Sequence, residues 1–144
     1  MNRTIRKFLI HTLAFTAVLF GVSMMAGNTA LAQNQGYDVF VPIAKYMSQG
    51  DSESLSAWFA DNLEITVTGG TSDSSRSQAK QILKTFFSKS VPTTFNIEHT
   101  AARGNMKYAL GTMTCGAENY MVTIFVSYQN KGYKIQQLKI EKAK

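Results

Sequence analysis

The sequence predicts a single α+β domain in which three N-terminal helices cover one face of a curved antiparallel sheet. In two stretches before residue 88, apolar residues recur three or four positions apart, which is the period of a helix face. From Thr94 onward they alternate with polar residues, as in strands, and short turns containing glycine and asparagine separate the alternating segments. Strands joined by short turns pair antiparallel, and helices placed ahead of such a sheet bury their apolar faces against it.

The first 32 residues have the features of a secretory signal peptide. Three basic residues precede the mostly apolar run Phe8–Ala26, and Ala30-Leu31-Ala32 then places small residues at the two positions that a signal peptidase reads. We expect cleavage between Ala32 and Gln33 and export to the periplasm or the cell exterior, with no stable membrane anchor afterwards. The alternative is an uncleaved anchor, because a run of about 19 apolar residues is long enough to span a bilayer.

The remaining chain is expected to hold one domain. Residues 33–37 form a short polar leader, and residues 38–144 are long enough to bury a core but leave no room for a second one. Half of the net charge of +6 comes from Arg3, Arg6 and Lys7, and the later basic residues are scattered. Binding to nucleic acid is therefore not expected.

The first predicted helix has an apolar face formed by Phe40, Ile43, Ala44 and Met47, and Gly50 ends it.

A second, short helix is predicted to follow, with Asp51 as its N-cap and Leu55, Trp58 and Phe59 on its inner face. The alternation over Leu63–Val67 then predicts a half-buried strand, which we expect to be added at an edge of the sheet or beside its last strands.

The third helix is the clearest element of the pattern. A polar loop is predicted from Gly69 to Ser74, and Ser75 with Gln78 forms a capping box at the start of the helix. Its buried stripe comprises Ala79, Ile82, Leu83, Phe86 and Phe87, and Pro92 ends the segment.

Four strands in a meander complete the prediction. They cover Thr94–Ala102, Met106–Cys115, Tyr120–Tyr128 and Tyr133–Glu141. In the last of these, Ile135 and Leu138 are three positions apart, which period two would place on opposite faces, so a bulge is expected near Gln136-Gln137.

Three segments make the chain resemble the nuclear transport factor 2-like superfamily of α+β cones. They are Trp58-Phe59-Ala60-Asp61-Asn62-Leu63-Glu64-Ile65, the helix ending in Phe86-Phe87, and Gly132-Tyr133-Lys134-Ile135-Gln136-Gln137-Leu138. Within the superfamily the chain is most similar to small secreted domains of unknown function from Bacteroidetes-type bacteria. The resemblance covers about residues 38–141. In isomerase-like members a catalytic acid follows the first of these segments, whereas Thr66-Val67-Thr68 here contains no acid or base.

The candidate site residues are few. His99 is the only histidine after the signal peptide and no two acids have paired spacing, so we expect no catalytic constellation, metal site or cofactor. His99 shares a predicted strand face with Phe95 and Ile97 and is expected to be packed. Tyr46, Trp58 and His99 are the expected lining of a binding pocket, and Cys115 is expected to be a buried thiol at a strand end.

The leading hypothesis for function is an exported, non-enzymatic binding or interaction module, with a small apolar ligand or an unidentified protein as its partner. One alternative is a cone-pocket enzyme that uses His99 as a base with a tyrosine as hydrogen-bond donor. Another is a structural homodimer formed through the sheet, for which exposed tyrosines on the outer face would be suited. Because the inward-facing candidates are mostly large aromatics, we expect at most a small, apolar pocket.

Overall fold

The computed structural model describes residues 38–130 and 132–144. Within these ranges it contains three helices and a six-stranded sheet, which confirms the predicted α+β class. The predicted signal peptide, its cleavage site and the leader at 33–37 lie outside the described residues. No helix in the described ranges combines the length and apolar character needed to cross a membrane.

The first two helices are short and joined by a left-handed glycine. Helix α1 (Phe40–Gln49) buries Phe40, Ile43 and Met47, and Gly50 ends it with a φ of 62°. Helix α2 (Ser52–Ser56) begins at Asp51, whose carboxylate accepts the backbone N–H of Ser54 at 3.0 Å. The inner face predicted for α2 was wrong beyond Leu55, because Trp58 follows the helix and Phe59 already belongs to the next strand.

Helix α3 (Arg76–Lys89) begins as the sequence predicts. The Ser75 hydroxyl accepts the N–H of Gln78, and the Gln78 side chain accepts the N–H of Ser75, so the capping box is complete. Leu83, Phe86 and Phe87 are buried as predicted, whereas Ile82 is only half-buried.

The six strands are ordered β2-β1-β6-β5-β4-β3 across one sheet. Their bounds are β1 Phe59–Val67, β2 Gly70–Ser75, β3 Thr94–Arg103, β4 Met106–Cys115, β5 Glu118–Gln129 and β6 Gly132–Lys142. Strands β3 to β6 form the predicted antiparallel meander. Strand β1 lies beside the last strand, one of the two positions predicted for it, and pairs parallel with β6.

Strand β2 occupies a segment that the sequence predicts to be a loop. It pairs antiparallel with β1 from Asn62↔Ser75 to Val67↔Gly70, and it forms one edge of the sheet. Its residues are small and polar, so neither hydrophobic alternation nor strand propensity marks them. The ladder with β1 stabilises the strand instead.

Two bulges change which side chains face the helices. In β6, Ile135 pairs with Val126 and Gln137 with Phe125, so Gln136 is the extra residue, and the bulge predicted there is confirmed. In β3, Ile97 pairs with Gly111 and His99 with Leu110, which makes Glu98 the extra residue of a second, unpredicted bulge.

The core lies between the helices and the concave face of the sheet. Residues 39–144 form one compact unit, and its largest fully buried side chains come from both layers. Phe87 and Phe95 are buried in this core, and Tyr46, Trp58 and Ile97 are partly buried against it.

Candidate functional site

A cavity of about 810 Å³ lies between α3 and the β1–β2 end of the sheet. One wall is a stripe of α3 formed by Gln78, Gln81, Ile82, Thr85 and Lys89, whose spacing places them along one side of the helix. This cavity is called the α3 groove below.

The opposite wall of the α3 groove is made by the β1–β2 hairpin. Val67 and Thr68 come from the end of β1, and Ser72 and Ser74 come from β2. The hydroxyls of Ser72 and Ser74 are 3.0 Å apart, which places both side chains on the same face of the strand. Asp73 lies between them and pairs with Glu64, so the alternation directs its carboxylate to the other face.

The floor of the α3 groove is apolar. Ile82 and Val67 are half-buried, while Phe86 and Tyr120 are only 8% and 6% exposed. The rings of Phe86 and Tyr120 meet edge to face with centroids 5.2 Å apart. Edge-to-face contacts between aromatic rings are favourable, so this contact holds both rings in place on the floor of the groove.

Several polar groups of the walls already have internal partners. The Thr85 hydroxyl donates to the Gln81 carbonyl at 3.0 Å, and the Gln78 side chain is part of the capping box. Within the described residues no carboxylate forms an ion pair with Lys89. The Lys89 ammonium therefore remains available at one end of the groove.

The same end of the α3 groove carries two hydroxyls. Ser90 follows the last residue of α3, and its Oγ lies 3.3 Å from Oη of Tyr120. A pair of hydroxyls uses one proton in its mutual hydrogen bond, which leaves the second proton free to be donated elsewhere. The groove thus ends in an ammonium and a hydroxyl donor.

The expectation of at most a small, apolar pocket was wrong. Phe87 and Phe95 are buried as expected, but a cavity lies beside the β1–β2 hairpin, where the unpredicted strand β2 supplies small serine side chains. The sequence does contain a signal for it: Gln78, Gln81, Thr85 and Lys89 form a polar stripe beside the apolar stripe of α3.

The three predicted pocket residues do not line the α3 groove. Tyr46 and Trp58 are half-buried and pack against the core. His99 is exposed, with its ring centroid 6.1 Å from that of Tyr108, so the prediction of a packed histidine was wrong. The bulge at Glu98 is the cause, because one inserted residue moves the following side chains to the opposite face.

Other candidate groups are placed as follows. Cys115 is buried at the end of β4 as predicted, and burial raises the pKa of its thiol above the ordinary value. In the part of the chain that the structure describes, no three histidine, cysteine or acidic side chains are grouped closely enough to hold a metal ion.

The outer face of the sheet carries a second apolar feature. The rings of Tyr108 and Phe125 stack across β4 and β5 with centroids 5.6 Å apart, beside a shallow cavity of about 350 Å³ that Met106 also lines. Met106 and Met121 are each 46% exposed.

A cross-strand pair of tyrosines flanks the β5–β6 turn. Tyr128 and Tyr133 face each other in register, and their ring centroids are 5.3 Å apart. This contact accounts for both residues without a ligand.

The sequence profile of a family described as "Domain of unknown function (DUF4783)" matches residues 40–141. No curated protein matches the chain.

Solved structures of the same description superpose over most of the chain. A DUF4783 family protein from Bacteroides ovatus is 23% identical, with a TM-score of 0.72 over 76% of this chain and 99% of that one. One from Bacteroides fragilis is 24% identical, with a TM-score of 0.70 over 74% and 100%. An NTF2-like protein of unknown function from Cytophaga hutchinsonii is 8% identical, with a TM-score of 0.54 over 74% and 88%. These similarities confirm the resemblance to the nuclear transport factor 2-like fold.

Proposed function

Because this chain belongs to the DUF4783 family, whose description assigns no role, we propose a function from its own geometry: an exported, non-enzymatic domain that binds a small ligand in the α3 groove. The observation that carries the proposal is the groove itself, about 810 Å³ with an apolar floor and hydroxyl and amide groups on its walls. Ligand sites are concave, mainly apolar surfaces with a few polar groups that fix orientation, and their volumes fall in this range.

The choice of a binding role over catalysis rests on what faces the groove. Its walls are lined by serine, threonine and glutamine side chains; of its two charged lining residues, Lys89 lies at one end, and Asp73 directs its carboxylate to the other face of β2. General acid–base chemistry usually depends on histidine or a carboxylate within reach of the substrate. His99, the base of the alternative enzyme hypothesis, is exposed on β3 and does not line the groove.

The ligand-binding role is tested by extracting purified protein with organic solvent and analysing the extract by mass spectrometry. Gln81→Trp fills the α3 groove from an exposed position on its helical wall, and Lys84→Trp places the same ring at an exposed α3 position that does not line the groove. We expect a compound that co-purifies with the wild type and with Lys84→Trp but is lost from Gln81→Trp. A compound present equally in all three proteins would contradict binding in the groove.

The exported state is supported by the signal features of residues 1–32 alone. The intact mass of protein recovered from the cell envelope of a bacterial host should correspond to a chain beginning at Gln33. A mass that includes residues 1–32 would instead indicate an anchor.

A second candidate function is self-association through the outer face of the sheet. The exposed Met106 beside Tyr108 and Phe125 favours it, and the equally exposed Met121 lies farther along β5 on the same face; exposed apolar surface commonly marks an interface. Light scattering after size exclusion should then give twice the chain mass, and Met121→Lys should return the mass to that of one chain. A single-chain mass for the wild type over a wide concentration range would eliminate this candidate.

A further inference from the structure

We infer that the ligand of the α3 groove is an amphiphile with one anionic head group, bound head-first against Lys89, Ser90 and Tyr120. The inference rests on the proposed function, because it names the class of ligand for the same groove. It depends on the unequal ends of the groove, which the cavity volume alone does not reveal.

Charge distinguishes the two ends. Lys89 lines the groove at the C-terminal end of α3 and has no ion-pair partner among the described residues. Asp73 also borders the groove, but alternation places its carboxylate on the other face of β2, and the Ser72, Ser74 and Gln78 side chains that line the groove away from Lys89 are neutral. A ligand with a negative group at one end therefore has one favourable orientation.

The head site combines two kinds of donor. The Lys89 ammonium supplies charge, and the hydroxyl pair of Ser90 and Tyr120 supplies a directed proton. Tyr120 is 94% buried by its ring packing against Phe86, so its hydroxyl is held in place before a ligand arrives. Donors that are already positioned lose little entropy on binding.

The apolar floor of the α3 groove suits an alkyl chain as the body of the ligand. From Gln78 to Lys89, helix α3 advances about 16 Å, so the groove is long enough for an extended chain rather than a compact ring system. Val67, Ile82 and Phe86 offer apolar contact along it, while the wall hydroxyls of Thr85 and Ser72 are occupied by internal hydrogen bonds. An alkyl chain can lie on this floor without breaking those internal hydrogen bonds.

The experiment compares three probes with the same tail: decanoate, decan-1-ol and decylamine. Each is titrated below its aggregation concentration into the full chain, and dissociation constants are taken from the shifts of amide signals of Gln81, Thr85 and Ser90 in two-dimensional NMR. We expect decanoate to bind the α3 groove most tightly and decylamine most weakly.

Variants of Lys89 test whether this residue causes the preference for decanoate. Lys89→Gln should weaken decanoate binding about fivefold at low salt, a smaller change than the roughly tenfold expected of a buried charged hydrogen bond, because Lys89 is solvent-exposed. It should leave decan-1-ol binding unchanged. Lys89→Arg should retain most of the decanoate affinity, and Lys84→Gln, which removes the same charge from a position outside the groove, is the matched control.

The outcomes separate the two proposals. If no probe shifts the groove amides, the ligand-binding function fails. If all three bind there with equal affinity, or if Lys89→Gln and Lys84→Gln weaken decanoate equally, the groove binds ligands but the anionic head site is overturned. Loss of the decanoate preference in Lys89→Gln alone supports the inference.

Discussion

Replacing Gly111 by alanine tests how closely β3 approaches its neighbouring strand β4 at this position. A Cβ at this position would lie 2.6 Å from the backbone oxygen of Asn96 and 2.9 and 3.0 Å from two ring atoms of Phe95. Real Cβ atoms essentially never approach so closely, and the carbonyl belongs to a paired strand that cannot move alone. Overpacking of this kind costs about 1–3 kcal/mol, and the loss of unfolded-state freedom offsets less than about 1 kcal/mol of it.

We therefore expect Gly111→Ala to lower the free energy of unfolding by about 2 kcal/mol. With a urea m-value of about 1.5 kcal/mol/M, the unfolding midpoint should fall by more than about 1 M. Gly70→Ala is the control in another strand, because its nearest atom to a new Cβ, the Val67 oxygen, is 3.7 Å away. Its midpoint should change by less than about 0.3 M. Equal midpoints for the two variants would refute the close approach at Gly111.

Three further predictions concern the core, a helix cap and the thiol. Phe86→Ala should destabilise the domain by about 3 kcal/mol in urea unfolding, and a loss below about 1 kcal/mol would show that the α3 stripe is not the core. Asp51→Ala should cost about 1 kcal/mol at neutral pH. Hydrogen bonds from the Ser54 hydroxyl and N–H hold the pKa of the Asp51 carboxyl below 3.8. The stability that this carboxylate contributes is therefore present above about pH 4 and is lost as the pH falls through the lowered pKa. If the difference in unfolding free energy between wild type and Asp51→Ala were the same at pH 2 as at neutral pH, this reasoning would be contradicted. Cys115, 7% exposed and with its thiol pKa raised by burial, should react with an aromatic disulfide reagent far more slowly in native protein than in urea, and equal rates would contradict its burial.

Elements with a strong local pattern could be predicted from the sequence. The capping box of Ser75 and Gln78 and the apolar stripe through Leu83 and Phe87 define α3 without reference to the rest of the fold. The spacing of Ile135 and Leu138 likewise locates the bulge at Gln136, because the alternation itself fails there.

Elements that form only against a neighbouring strand could not be predicted from the sequence. Strand β2 has no hydrophobic alternation of its own and exists because β1 offers a ladder to Gly70–Ser75. The bulge at Glu98 is invisible in a segment whose alternation continues through it, and that single residue places His99 on the outer face. The α3 groove follows from the first of these elements, since β2 forms one of its walls.

The position of β6 in the sheet determines when the sheet can become continuous. This strand, Gly132–Lys142, lies between β1 and β5, and Gln137 donates to Glu64 across a separation of 73 residues. Until β6 has been synthesised, the β1–β2 hairpin and the β3–β5 meander cannot pair into one sheet. Each then exposes a long, apolar strand edge of the type that promotes aggregation. A chain truncated before Gly132 should consequently lose the whole fold rather than one strand, and the native sheet is expected to form only after β6 has left the ribosome.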